Sequence, residues 1–191
     1  MENISDADLK KIVDEVVSAL MSELPKNNSG PAAPSPIKEL PGISGGKVVA
    51  IGADHGGFQL KKTLKEYLSE IGYSVIDCGT NSSDSVDYPD FARAVAEQVK
   101  EGAAWRGVMI DGAGIGSCMA ANKVSGVRAA MCYDYSTAVN SREHNDANLL
   151  TLGAGLIGPN LAKQILSTFL ETDFGGDRHA RRVNKIMEIE K

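Results

Sequence analysis

Apolar residues recur along this chain in two different rhythms. Between residues 5 and 24, Leu9, Ile12, Val13, Val16, Val17, Leu20 and Leu24 fall at helical spacing, and Asp6, Lys10, Lys11, Asp14 and Glu15 fill much of the other side. That is one apolar stripe on an amphipathic helix, opened by Ser5 and Asp8 as a variant capping box. Residues 25–46 interrupt the rhythm with Pro25, Pro31, Pro34, Pro36 and Pro41 and with Gly30, Gly42, Gly45 and Gly46, a linker composition. From Lys47 onward, short apolar runs alternate with helical periods. Runs over 48–51, 73–78, 107–111, 127–132 and 149–152 predict strands, and 58–68, 91–100, 115–121, 136–143 and 159–170 predict helices. The alternation predicts an α/β fold, a Rossmann-like, mostly parallel five-stranded sheet covered by helices. Three segments follow: a helix over 1–24, a linker over 25–46 and a domain over 47–191.

About five turns of helix with a single apolar stripe are marginal alone, so that face needs a cover. It either folds back on its own domain or a sister subunit, or docks on a partner surface. A linker of 22 residues is long for mere packing and favours docking. Lysines are few and balanced by acids, which disfavours a membrane surface.

At 191 residues the chain holds one ordinary domain plus this extension. A formal charge of −5 offers no footprint for duplex nucleic acid. Cys78, Cys118 and Cys132 lack metal-ligand spacing and fit a reduced, cytoplasmic setting. No apolar run approaches the roughly 20 residues of a membrane span, and the acidic N-terminus lacks a secretory pattern.

In open parallel sheets, ligands bind beyond the carboxyl ends of the strands. Asp54 and His55 follow the first predicted strand, Asp111 and Gly112 the third, and Tyr133 and Asp134 the fourth. Gly112-Ala-Gly-Ile-Gly116 matches neither the dinucleotide fingerprint nor a P-loop. It is either a nest of N–H groups for an oxyanion or a tight strand-to-helix turn. Asp111 either moves a proton or caps that turn. His55, His144 and His179 all stand in polar contexts, and no pair has metal-ligand spacing, so no metal is expected. Arg178, Arg181 and Arg182 form the densest basic cluster, either a solvated helix start or an anion clamp. Together these groups point to a small anionic substrate and acid–base chemistry.

Several segments in order resemble the ribose-5-phosphate isomerase B family, which includes the galactose-6-phosphate isomerase subunits. They are Ala53-Asp-His-Gly-Gly-Phe-Gln-Leu-Lys61, Asp77-Cys-Gly-Thr80, Asp87-Tyr-Pro89, the 112–116 glycine turn, Ala120-Ala-Asn-Lys123, Gly126-Val-Arg-Ala129 and Ser141-Arg-Glu-His-Asn-Asp-Ala-Asn148. The resemblance covers about residues 47–191. It implies aldose–ketose isomerisation of a sugar phosphate through a cis-enediolate, with no cofactor. It implies His144 as the ring-opening acid/base and Asp54 and His55 near the substrate's oxygens and phosphate. Asn145 and the turn of Gly112, Gly114, Gly116 and Ser117 would hold the enediolate, and Arg178 and Arg182 the phosphate. It further implies sites at the interface of a homodimer or a dimer of dimers, with the C-terminal helix packing on the partner. In pattern only, residues 1–24 resemble the targeting helices that deliver enzymes into bacterial microcompartments, which implies a shell or scaffold partner for 5–24.

Two positions depart from the family pattern. Many members carry a cysteine base where this chain has Asp111, and some use a glutamate one turn into the next helix, here Ser117. Asp111 is therefore the ionisable candidate, with Cys118 next to the second position. A carboxylate is chemically adequate for enolisation, and its length is about that of the thiol it replaces. Members also commonly place a phosphate-binding arginine where this chain has Gly155, leaving Arg128, Arg142 or Arg181 to compensate. These departures keep two alternatives open, an isomerase or epimerase for a different sugar phosphate and a catalytically silent homologue.

Overall fold

A computed structural model describes residues 47–190 and, N-terminal to them, Glu15 alone. Apart from Glu15, the predicted helix over 5–24 and the linker over 25–46 lie outside the described residues. The elements are β1 (Val48–Ala53), α1 (Phe58–Glu70), β2 (Ser74–Asp77), α2 (Tyr88–Lys100), β3 (Arg106–Asp111), α3 (Ile115–Ala121), β4 (Ala129–Met131), α4 (Tyr135–Glu143), β5 (Leu149–Gly153), α5 (Pro159–Glu171) and α6 (Asp177–Glu188). The strand order is β2-β1-β3-β5-β4, and all four ladders are parallel. The sheet is thus wholly rather than mostly parallel.

The three inner strands explain why their sequences are continuous apolar runs: β1 after Val48, β3 after Arg106 and the whole of β5 are buried. Alternate residues feed two cores. Ile51, Ile110 and Leu152 pack with Leu64 and Leu68 of α1 and Ile165 and Phe169 of α5. Ala50, Met109 and Leu149 pack with Val95 and Ala96 of α2 and Ala121 of α3. Each such large apolar side chain contributes about 1.5–3 kcal/mol.

Most elements end within two residues of the predicted bounds, and two of the differences have an evident cause. The fourth strand shrinks to Ala129–Met131 because side chains take the hydrogen bonds a longer edge ladder would use. Asn148 Oδ1 accepts the Arg128 N–H at 2.7 Å, and the Asn122 amide pairs with both N–H and C=O of Ala129 at 2.9 Å. Helix α2 starts at Tyr88, not 91, because Pro89 fits the first helical turn, where no N–H is needed. Helix α6 buries Val183 on its own chain and leaves Ile186 exposed.

Buried charge ties α1 to the end of β2. Lys61, only 1% exposed, meets Asp77 Oδ1 at 2.5 Å, Lys65 meets Oδ2 at 2.8 Å, and the Gly79 N–H donates to Oδ1 at 3.0 Å. Burial pushes the Asp77 carboxyl up, but those donors and the Lys61 charge outweigh it and hold its pKa at about 2.

Candidate active site

The strand order reverses between β1 and β3, and the candidate residues gather at the carboxyl ends of those two strands. Gly57 makes this closeness achievable. A Cβ there would lie 2.3 Å from the Ile110 carbonyl oxygen, so only glycine lets the β1–α1 turn settle on β3. The same turn is held by Asp54 Oδ1, which accepts the Gly57 N–H at 2.9 Å. A Cβ on Gly56 would reach both Asp54 Oδ1 at 3.4 Å and Gly112 N at 3.6 Å, so Asp54 and the glycine turn are neighbours. His55 is exposed and rests its Nδ1 on the backbone of Val86, 3.2 Å from the oxygen and 3.3 Å from the nitrogen.

Asp111 ends β3 and is 4% exposed. Its Oδ1 accepts the N–H groups of Ala113, at 2.8 Å, and Gly114. Its Oδ2 accepts the Ser117 N–H at 3.1 Å and the Ser117 hydroxyl at 2.5 Å. Four donors thus occupy the roughly four lone-pair positions of a carboxylate. Asp111 caps the turn, and to accept a proton from carbon it must release one donor. Among the glycines, Gly114 has φ +79° and commits its N–H to Asp111, whereas the N–H groups of Gly112, Ile115 and Gly116 carry no hydrogen bond among the described residues. Those three are the donors free for a substrate oxygen. The Tyr88 ring covers Gly116, where a Cβ would stand 2.5 Å from Tyr88 Cζ. Cys118 turns its thiol to the Ala129 carbonyl, 3.4 Å away, and burial raises its pKa, which makes it a poor base.

A second group forms at the end of α4. Asn140 Nδ2 and His144 Nδ1 are 2.8 Å apart, and Asn145 Nδ2 donates to Asn140 O at 3.1 Å and Oδ1 at 3.2 Å. The His144 ring stacks on His179 of α6, with centroids 4.2 Å apart and planes 7° from parallel. Arg178 Nε lies 3.4 Å from His179 Nε2. Partial burial lowers the His179 pKa, and His144, Arg178 and Arg182 lower it further by charge. Asn140, Asn145 and Ile186 line a cavity of about 610 Å³ along β4, which neither Asp54 nor Asp111 touches.

The predicted residues therefore fall into two clusters, and no hydrogen bond joins them among the described residues. Asp54, His55, Asp111, Gly112, Gly114, Gly116 and Ser117 form one; His144, Asn145, Arg178 and Arg182 belong to the other. One of the expected compensating arginines is corrected. Arg142 is buried and bonded to Asp146 and the Ala147 and Thr172 carbonyls, and Arg128 holds the other Asp146 oxygen. The Arg142 guanidinium is thereby fully engaged, whereas Arg128 also lines the cavity shared by Asn140 and Asn145. Gly155 abuts the glycine turn, its N–H donating to the Gly112 oxygen at 2.9 Å. Tyr88, Asn140 and His179 join the site without having been assigned from sequence. The signals were an aromatic in Asp87-Tyr-Pro89, an Asn four residues before His144, and a His inside the basic cluster. Among the described residues no group of three His, Cys, Asp or Glu could hold a metal, and no helix is long and apolar enough to cross a membrane.

Comparison with known proteins gives this geometry its context. The family model described as Ribose/Galactose Isomerase matches residues 49–186. Ribose-5-phosphate isomerase B of Escherichia coli is 43% identical over 145 residues, covering 76% of this chain and 97% of that protein. D-erythrulose-4-phosphate isomerase of Pectobacterium atrosepticum is 42% identical over 139 residues, covering 72% and 91%. The structure of Clostridium thermocellum ribose-5-phosphate isomerase B superposes with a TM-score of 0.74 at 52% identity, over 75% of this chain and 97% of that one. Two acidic residues at the strand crossover, an open glycine turn and a His–Arg cluster thus sit in a sequence that the family model spans almost from β1 to α6, and the chain belongs to the ribose/galactose isomerase family of sugar-phosphate isomerases.

Proposed function

We propose that the chain interconverts ribose 5-phosphate and ribulose 5-phosphate through a cis-enediolate, with Asp111 as the base. The observation that carries this reading is the pairing of Asp111 with free N–H groups at Gly112, Ile115 and Gly116. A base beside preorganised donors is what enolisation needs: the carboxylate takes the C2 proton and returns it at C1, while the donors hold the negative oxygen. Of the four donors on Asp111, the Ser117 hydroxyl alone swings about a single bond, so its release frees a lone pair at least cost. Asp54 and His55 border the sugar's oxygens, His144 and Asn145 serve its reacting oxygens, and Arg178 and Arg182 take the phosphate.

The two clusters support a homodimer in which each site draws on both subunits, with α6 packing on the partner. Ile115, Met119, Tyr133, Tyr135 and Leu156 are exposed, large apolar side chains of the kind a subunit covers. Residues 5–24 serve as a docking helix for a microcompartment shell or scaffold. Deleting them should leave turnover intact and abolish association with that partner; retained association would refute the docking role.

A four-carbon sugar phosphate is the second reading. It is favoured by Gly155, which supplies no guanidinium, and by the likeness to D-erythrulose-4-phosphate isomerase. The deciding experiment follows proton exchange at C2 of ribose 5-phosphate in deuterated buffer, comparing wild type with Asp111→Asn. Exchange that disappears in the variant supports Asp111 as base. Exchange by both assigns the proton to another group, and none by either, with protein folded, moves the search to other sugar phosphates.

A further inference from the structure

The amide of Asn140 dictates what His144 can do. The Asn140 backbone carbonyl can only accept a hydrogen bond, so the Asn145 atom 3.1 Å from it is the amide nitrogen. That nitrogen lies 3.2 Å from one side-chain atom of Asn140, which must therefore be its oxygen. The remaining Asn140 atom, the NH₂ group, then faces His144 Nδ1 at 2.8 Å. Reversing either amide sets donor against donor or acceptor against acceptor. Nδ1 is consequently an acceptor, and the hydrogen of the neutral ring sits on Nε2. Stacking on His179 fixes the plane of the ring, and the contact with Asn140 sets which edge carries Nδ1 toward it.

We infer that Asn140 is a positioning residue that makes His144 a hydrogen-bond donor through Nε2–H instead of a proton shuttle, and that of the two substrates proposed above the enzyme is thereby better suited to the second, a four-carbon sugar phosphate whose reacting carbonyl is already open. The inference rests on the reading that His144 faces the substrate's reacting oxygens. Opening an aldofuranose breaks the C1–O4 bond, takes the proton from the C1 hydroxyl and delivers one to O4. For His144 to carry out that exchange alone, it needs a bare nitrogen to receive the first proton. In His144, Nε2 already carries hydrogen and Nδ1 faces the Asn140 NH₂. Nε2–H can still polarise a carbonyl and hold an enediolate, as a neutral imidazole does in other isomerases. A four-carbon sugar bearing phosphate on O4 cannot close a five-membered ring, because the only suitable oxygen is esterified. Such tetrose 4-phosphates need the donor and not the shuttle.

The full-length enzyme and Asn140→Asp test this. The carboxylate keeps an acceptor for Asn145 but offers His144 Nδ1 an acceptor in place of a donor, which frees Nε2 as a base. Asn140 is solvent-exposed, so the fold should survive. Long-range ¹H–¹⁵N spectra, above the pH at which the ring is protonated, should show hydrogen on Nε2 in wild type and on Nδ1 in the variant. The ratio of kcat/KM for ribose 5-phosphate to that for D-erythrulose 4-phosphate should rise by about tenfold or more in N140D, in keeping with general acid–base contributions. Hydrogen on Nδ1 in wild type, or an unchanged ratio, would overturn the inference alone. Conversion of neither sugar by wild type with hydrogen on Nε2 would overturn both proposed substrates, leaving the tautomer standing.

Discussion

The Ser117 hydroxyl lies 2.5 Å from Asp111 Oδ2, and the Ser117 N–H reaches the same oxygen at 3.1 Å. One residue of α3 thus supplies two of the four donors that lock the end of β3 to the glycine turn. The pair explains how a carboxylate is tolerated where burial is nearly complete: its charge is met by oriented dipoles rather than by a cation.

Ser117→Ala removes one of those donors and leaves the N–H. The loss of a buried hydrogen bond to a charged group should destabilise the protein by about 1.5–3 kcal/mol in urea unfolding. Because Oδ2 then has a vacant lone pair, proton exchange per folded enzyme should hold within about tenfold of wild type, far above Asp111→Asn. Loss of exchange equal to that of D111N would make the hydroxyl itself part of proton transfer.

Shared sites make a prediction about mixtures. If Asp111 and His144 of one site come from different subunits, Asp111→Asn and His144→Ala homodimers are each inactive, yet their random mixture contains intact sites. Co-refolded equimolar variants should recover about a quarter of wild-type turnover, since half the dimers are mixed and half of their sites complete. No recovery would confine both residues to one subunit's site.

Acid sensitivity should trace to Asp77. Its pKa of about 2 lies below the ordinary value near 3.9, so folding gains from its ionisation. That gain is fully present above about pH 4 and is lost as pH falls toward 2. Asp77→Asn should flatten unfolding free energy across that window. At neutral pH it should destabilise by about 3 kcal/mol, because Lys61 is left buried with its charge unpaired. Restoration of stability by Lys61→Met in the D77N background would confirm the cause.

Gly155→Arg introduces a guanidinium beside the glycine turn. Its Cβ would stand 3.0 Å from the Gly112 oxygen, a contact that a shift of a few tenths of an ångström relieves. The KM for ribose 5-phosphate should fall about tenfold without a rise in kcat, the signature of added uniform binding. An unchanged KM would put the phosphate away from Gly155.

Much of the fold was legible because buried parallel strands leave unbroken apolar runs. The stretches ending at Ile51, Asp111 and Leu152 could be read directly, and α3 spans the residues its periodicity predicts. The β4 edge was overextended, since a local apolar run does not reveal that Asn122 and Asn148 side chains have claimed its hydrogen bonds. Arg142 looked available for phosphate because sequence does not display its partner, Asp146, or its burial.

Membership in the isomerase family, the order of the elements and the placement of Asp54 and Asp111 after their strands were determined by the sequence itself, through short-range periodicity and motif spacing. Tertiary structure alone decided how those groups are used. Hydrogen bonding depends on angle and distance between atoms brought together by folding, and only there do four donors converge on Asp111 and one amide fix the hydrogen of His144.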